Sequence, residues 1–420
     1  MTAERHPRLL PVQEEARVTP IELFFDLVFV FSLTQVTALM ASDHPTWHGV
    51  ARGLLVLALL WWAWVGYAWL GNVVQAEEGL GRPTMLAAMA AIFLVAISVP
   101  EAFDDHDGGL PGPVVVAVAY LSVRVLHVVM FWLAARQSGD RELGRQVARF
   151  APSGLASSAV LLVASQLEGV PQTLAWVVAL LLDYVGTILA GASGWRLRSA
   201  SHFAERHGLI VIVALGESIV AIGVGISDVA VSWPIVWAPV LGLAVAAALW
   251  WAYFDVVSIA VERVLRRSEG EARTRLARDG YSYLHLPIVA GVVLMALGVE
   301  QVLEHVADPA VHGLADPLAT LPLVTLYGGV ALFLLAHVAF KWRALRLVGG
   351  RRIAAAAVLL ASIPLVSEAP ALASLAILSV VMCVLVGSEA VRYAEERERV
   401  RHEDADLTHS GSGSARTRGS

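Results

Sequence analysis

Cysteine and lysine are nearly absent from this chain of 420 residues, since each occurs once, as Cys383 and Lys341. A single cysteine excludes a disulfide within the chain and a metal site built from several cysteines. Only 16% of the residues are charged, and the formal net charge of -6 leaves no basic surface for nucleic acid. The composition therefore excludes disulfide-stabilised and nucleic-acid-binding classes.

Apolar residues dominate instead, at 57% of the chain with a mean hydropathy of +0.67. One soluble core cannot bury so much apolar surface, whereas a helix of about 20 apolar residues spans a bilayer core of about 30 Å. Twelve such runs predict an all-α polytopic membrane protein of about twelve transmembrane helices. The runs cover 20–40, 50–71, 83–101, 113–135, 150–167, 172–193, 205–226, 233–257, 281–303, 318–340, 352–368 and 371–392.

Positive charge alternates between the two sides of these runs. Lys and Arg gather in the N-terminal arm and after the fourth, eighth and tenth runs, and none follows the odd-numbered runs. By the positive-inside rule, this predicts a multi-pass protein of the cytoplasmic membrane with both termini in the cytoplasm. A cleavable signal peptide is the competing interpretation of the first 40 residues, but the first run is long, carries Asp26 and lacks a small-residue cleavage site.

Two halves are expected because sequence fragments recur six runs apart. "LWWAW" at 60–64 returns as "LWWAY" at 249–253, and "HVVMFW" at 127–132 returns as "HVAFKW" at 337–342. An even offset gives both halves the same orientation, as in transporters built from parallel repeats. The predicted organisation is an arm, two six-helix halves and a tail that is disordered beyond about residue 403, with bounds 1–19, 20–193, 194–392 and 393–420.

Three ionisable residues fall deep inside the predicted spans, namely Arg124, Asp183 and Glu217. Such a side chain costs a few kcal/mol to insert and should face protein or a water-filled cavity. They predict a central polar cavity in which Arg124 balances either Glu217 or Asp183, with the two acids as cation or proton sites. The alternative is a structural ion pair, or a carboxyl kept neutral by burial.

A second layer of polar residues is expected near the cytoplasmic ends of the helices. Its candidate site residues are Asp26, Glu205, His207, His127 and His285. No H-E-x-x-H or comparable spacing predicts a metal, and no cofactor is expected. "GESIVAIGVG" at 216–225 fits no phosphate loop; instead Gly216 and Gly223 share a helix face and predict close approach by a neighbouring backbone.

The stretch "TPIELFFD" opens the first run and contains two acids, Glu22 and Asp26, for which we expect different roles. Thr19 and Glu22 match the T-x-x-E capping box with Pro20 at the first helical position, so Glu22 is interpreted as a helix-start residue. Asp26 lies one turn deeper, past the backbone amides that it would cap. We therefore expect Asp26 to be the functional acid of the pair.

Three stretches resemble the bacterial low temperature requirement A family: "ELFFDLVFVFSLTQVT" at 22–37, "ERHGLIVIVALGESIVAIG" at 205–223 and "YSYLHLPIVAG" at 281–291. The resemblance extends over about residues 15–395 and implies a membrane protein connected with growth in the cold. The family's molecular activity is not established, so the resemblance assigns no catalytic residue. "FFD" at 24–26 is also similar to the F-S-D motif of a potassium-channel family, although Phe25 replaces the serine.

These patterns favour a transporter or channel that moves a small solute or cation by alternating access or gated permeation. The alternatives are a membrane enzyme acting on a lipid or prenyl substrate with the cytoplasmic-layer residues, and a non-catalytic scaffold. The expected partners are the lipid bilayer and the unidentified solute, and the sequence is compatible with homo-oligomers.

Overall fold

The computed structural model describes residues 9–12, 16–41, 45–106, 108–224, 229–308 and 311–392. Their regular elements are helices, and no β-strand occurs in these ranges, which confirms the all-α class. The predicted disordered tail lies outside the described residues. The α-helices are α1 (Pro20–Ala41), α2 (Trp47–Val73), α3 (Gly81–Ile97), α4 (Gly112–Ser138), α5 (Arg141–Ala164), α6 (Gly169–Ala190), α7 (Ala200–Val224), α8 (Trp233–Phe254), α9 (Val257–Arg267), α10 (Gly270–Leu276), α11 (His285–Ala307), α12 (Thr320–Leu345), α13 (Gly350–Val366) and α14 (Ala371–Arg392).

Ten spans in the described part of the chain are long and apolar enough to cross a membrane. The third and eleventh apolar runs of the sequence form α3 and α13, which have 17 residues each. At 1.5 Å per residue such a helix is about 26 Å long, slightly short of the bilayer core. The multi-pass membrane class therefore agrees with the sequence prediction, with ten candidate spans rather than twelve.

The start of α1 has the predicted capping interaction. The Glu22 carboxylate reaches back to Thr19, whose backbone N–H and hydroxyl donate to Oε2 at 3.0 and 2.9 Å. Glu22 therefore satisfies a backbone donor at the helix start, as the T-x-x-E spacing indicates.

Helix α2 runs through the interior, and its tryptophans donate hydrogen bonds to other elements. Trp61 Nε1 donates to the carbonyl oxygen of Ser282 at 2.7 Å, and Trp69 Nε1 donates to the Ser282 hydroxyl at 2.9 Å. Trp64 Nε1 donates to Asp26 Oδ1 at 2.8 Å. The aromatic stretch at 61–69 thus joins α2 to α1 and to the segment before α11.

That segment, Ala277–Tyr283, is a π-helix between α10 and α11. Its wider turn ends with the Leu284 N–H donating to the Asp279 carbonyl oxygen at 3.3 Å. A π-turn inserts one extra residue into a helix and often marks a functional site. Here it presents Ser282 to the α2 tryptophans, a feature that hydrophobic periodicity does not reveal.

Helices α11 and α12 pack most closely at glycines. A Cβ added to Gly298 would stand 2.5 to 2.7 Å from the Cβ, Cα and N atoms of Leu326. Because two of these atoms are backbone, the helices would have to separate.

Gly298→Ala is accordingly expected to lower the free energy of unfolding by about 1–3 kcal/mol, the usual cost of overpacking. Gly387→Ala on α14 is the control, since no described atom lies within 4 Å of its added Cβ. Thermal denaturation in detergent measures both; equal melting temperatures would contradict the close α11–α12 packing.

The packing order of α1 to α6 resembles that of α7, α8 and α11 to α14. Helix α1 contacts α2 and α3, α3 contacts α4, α4 contacts α5, and α5 contacts α6. Helix α7 contacts α8 and α11, α11 contacts α12, α12 contacts α13, and α13 contacts α14. Helices α1, α7 and α11 also contact one another, and α2 contacts α7 and α11, so the two parts meet at these four helices.

Candidate functional site

Several buried charged and histidine side chains lie at the end of the bundle that carries the N-terminal arm. The arm lies against the residues that follow α2, where the Gln75 N–H donates to the Leu10 carbonyl oxygen at 2.8 Å, and against α4, where the Leu9 N–H donates to Gln137 Oε1 at 2.9 Å. We call this the arm end. The N-termini of α1, α7 and α11 and the C-termini of α2 and α4 lie here.

Four ionisable side chains from α1 and α7 form a buried network, here called the α1–α7 cluster: Glu22, Asp26, His202 and Arg206. Arg206 contacts Asp26 Oδ1 at 2.8 Å through Nη2 and Glu22 Oε1 at 3.4 Å through Nη1. His202 Nε2 lies 2.9 Å from Glu22 Oε2. None of the four is more than 2% exposed.

Neighbouring elements support this cluster. The Arg206 guanidinium lies over the ring of Trp64 at 5.4 Å, which adds a cation–π contact to the Trp64 hydrogen bond on Asp26. Gly71 of α2 lacks a side chain where a Cβ would stand 2.5 Å from Glu22 Oε1. Asp26 Oδ2 and Arg206 Nε have no hydrogen-bond partner among the described residues.

The cluster changes the interpretation of the first helix. Glu22 caps the start of α1, as expected, but the same carboxylate also pairs with His202 and Arg206, so its role extends beyond the cap. Asp26 belongs to the same network rather than to a separate site. Glu205 is exposed and accepts only a long hydrogen bond from the Val18 N–H at 3.4 Å, so it stays outside the cluster.

A second buried ion pair joins α4 to α6. Arg124 Nη2 lies 2.7 Å from Asp183 Oδ1, and the Tyr120 hydroxyl donates to Asp183 Oδ2 at 3.0 Å. The pair is almost fully buried, and Arg124 packs against Gly154 of α5, where a Cβ would collide with the guanidinium. Of the two partners that the sequence left open for Arg124, the structure selects Asp183.

A cavity of about 50 Å³ adjoins this pair, enough for a few water molecules. Its lining combines aromatic rings with hydrogen-bonding side chains, and it extends from Arg124 to Arg278 in the π-helix. The lining residues are Trp62, Val65, Gly66, Trp69, Arg124, His127, Phe150, Thr187, Trp195, Thr274, Arg278 and Ser282. This cavity differs from the predicted one: it lies among α2, α4, α5, α6, α10 and the π-helix, and of the three deep charged residues only Arg124 lines it.

The three candidate histidines separate into two places. His207 and His285 are neighbours, with ring centroids 5.3 Å apart, and the Tyr253 hydroxyl lies 2.7 Å from His285 Nε2. His127 lies in the cavity wall beside Phe131 and Phe150, and neither of its ring nitrogens has a hydrogen-bond partner in the described ranges. The five residues assigned to the alternative lipid enzyme therefore do not converge on one reacting centre.

Glu217 lies apart from both networks. It follows the start of α7 by 17 residues, about 26 Å along the helix axis, so it lies towards the end opposite the arm. The expected close approach at Gly216 and Gly223 is wrong: no described atom lies within 4 Å of an added Cβ at either position. The reason is orientation, because Gly216 is only half-buried and Gly223 is exposed.

In one ion pair of the second half, the sequence indicated Glu389 as a possible polar residue near the cytoplasmic end but not its partner Arg352. Arg352 on α13 binds Glu389 on α14 through two parallel hydrogen bonds of 3.0 and 2.8 Å and also contacts His337. Arg352 looked like a loop charge at the end of an apolar run. The recurring "HVAFKW" fragment contains His337 and was the available signal.

The described residues contain no group of three or more His, Cys, Asp or Glu side chains arranged to hold a metal ion.

The sequence was compared with models of known protein families. The model of the bacterial low temperature requirement A protein matches residues 17–387. The chain belongs to this family. The three stretches that resemble this family in the sequence lie on α1, on α7 and across the π-helix into α11. These elements contact one another where the two parts of the bundle meet. The uncharacterized protein RA0937 of Rhizobium meliloti (strain 1021) is 29% identical over 401 residues, which are 93% of this chain and 93% of that protein.

Proposed function

We propose that this protein moves a small solute or cation across the bacterial cytoplasmic membrane through the cavity beside Arg124 and Asp183. The observation that carries the proposal is an ion pair, buried at mid-depth, whose Arg124 lines a cavity that extends to Arg278 in the π-helix. Ionisable side chains at this depth are costly and typically mark solute or ion pathways. A solute with an anionic or hydrogen-bond-accepting group that reaches Arg124 competes with Asp183 for the guanidinium and loosens the contact between α4 and α6.

The movement we propose is alternating access between two parallel six-helix halves. The similar packing order of α1–α6 and of α7–α14 supports this arrangement, in which α3 and α13 complete twelve membrane segments. In such transporters one half rocks against the other around a fixed site. The α1–α7 cluster lies at the junction of the halves. Its ion pairs would therefore either persist as a pivot or separate when one half rocks against the other.

The alternation of arginine between the connections supports an orientation with the arm end and both termini in the cytoplasm. The cavity of this conformation then faces the cytoplasm.

Flux through purified protein in liposomes tests the proposal. The probes are radiolabelled rubidium and sodium ions and a panel of labelled amino acids and sugars, each offered with and without a pH gradient. We expect at least one probe to enter faster than into protein-free liposomes. Equal entry for every probe under every gradient would contradict transport and favour the scaffold alternative.

A further inference from the structure

Glu217 is the most isolated buried acid of the described structure. Only 1% of its surface is exposed, and neither carboxyl oxygen has a hydrogen-bond partner. An unpaired carboxylate in such surroundings costs several kcal/mol, so a buried acid normally binds a cation or holds a proton.

No Lys or Arg lies on the helices around Glu217. The sequence contains neither Lys nor Arg over 18–51, 207–262 and 279–340, which include α1, α8, α11 and the part of α7 that follows Arg206. Arg52, at the start of α2, is paired with Asp104 at 2.7 Å.

The groups that do face Glu217 come from α1 and α11. The Thr37 hydroxyl of α1 lies beside the carboxyl and also lies 3.2 Å from the Leu33 carbonyl oxygen. The Glu300 carboxyl of α11 is close enough to interact electrostatically and also has an unpartnered oxygen. Glu304, one turn further along α11, is exposed and bound by Gln301 at 2.7 Å. Glu217 and Glu300 thus lie at a similar depth, 17 and 15 residues after the starts of α7 and α11, two helices that contact each other.

A proton satisfies this arrangement better than a metal ion. Calcium requires six to eight oxygen ligands, whereas this site offers two carboxyls and one hydroxyl. Two carboxylates that share a site cannot both ionise easily, so one of them retains a proton and donates it to the other.

We propose that Glu217 and Glu300 form a proton-binding site at the end of the bundle opposite the arm, where one proton is held between the two carboxyls. When movement of α7 against α11 admits water, the O–H bond of the protonated carboxyl breaks, the proton passes to water, and the carboxylate keeps the electron pair. Proton binding stands on its own, but the role that we give it, coupling a pH gradient to solute movement, rests on the proposed function.

Infrared difference spectroscopy of the membrane-reconstituted protein tests proton binding directly. As the pH is raised, the wild-type protein is expected to lose a protonated-carboxyl stretching band that shifts in heavy water. Glu217→Gln should abolish this band, and Glu300→Gln should shift it. Glu304→Gln, which changes an exposed acid on the same helix, should retain it. A band that is unchanged in both Glu217→Gln and Glu300→Gln would overturn the site.

A flux assay separates this inference from the proposed function. In liposomes, Glu217→Gln is expected to lose accumulation driven by a pH gradient while retaining exchange of the same labelled probe across symmetrical buffers. Accumulation that still follows the gradient in this variant would refute the coupling. Absence of all flux in the wild type would refute transport, and the infrared result would then still decide whether the proton site exists.

Discussion

Arg206→Leu is expected to lower the free energy of unfolding by about 3–5 kcal/mol, the usual result of removing one partner from a buried ion pair. The guanidinium is fully buried and contacts both Asp26 and Glu22. Its loss leaves two buried carboxylates with His202 as the remaining ionic partner. Because a typical protein is stable by only about 5–15 kcal/mol, little folded protein should be recovered from membranes.

Two further variants separate lost charge from lost packing. Arg206→Leu combined with Glu22→Gln and Asp26→Asn removes the stranded charges and should recover much of the folded protein. Arg196→Leu is the matched control, since Arg196 is 60% exposed and its ion pairs measure 3.3 and 3.6 Å. Size-exclusion profiles and melting temperatures in detergent report all three. A wild-type melting temperature for Arg206→Leu would contradict the buried cluster.

The double variant Arg124→Gln and Asp183→Asn is expected to fold but to reduce solute flux at least tenfold, equivalent to about 1.4 kcal/mol. Replacing both charges by amides keeps side chains of similar size and hydrogen-bonding capacity, so no unpaired charge is left in the bundle. The solute loses the guanidinium that it would contact in the cavity wall.

A second ion pair of the same length provides the control for this variant. Arg52 and Asp104 also lie 2.7 Å apart, but Asp104 is 80% exposed and neither residue lines the cavity. Arg52→Gln with Asp104→Asn should therefore retain wild-type flux. Equal flux in the two double variants would show that the charges of the Arg124 pair play no part in transport and would leave them a structural role.

Local patterns were sufficient to predict the helices and the start of α1. The apolar runs identify membrane helices because each of them is a contiguous stretch, and the T-x-x-E spacing indicates the Glu22 cap because its partners are three residues apart. The partners of the buried charges were not predictable in this way. Asp26 and Arg206 are 180 residues apart in sequence, and their pairing depends on how α1 packs against α7.

The errors have equally local causes. Helical spacing placed Gly216 and Gly223 on one face but could not tell whether that face meets a helix or the surroundings of the bundle. The π-helix adds one residue to a turn without changing the apolar pattern. The contact between Ser282 and the α2 tryptophans could therefore not be predicted from that pattern. Depth counted from a soft boundary made Glu217 look central, whereas α7 begins at Ala200 and places it nearer the far end.

Blocking the cavity tests the central claim most directly. In a Cys383→Ser background, which removes the exposed native thiol, Thr187→Cys places a reactive group in the cavity wall. Thr173→Cys places one on the same helix, outside the lining. Flux of a transported probe is measured before and after treatment with a small methanethiosulfonate reagent. The account predicts that labelling stops flux in Thr187→Cys and leaves flux in Thr173→Cys unchanged; undiminished flux through fully labelled Thr187→Cys would contradict it.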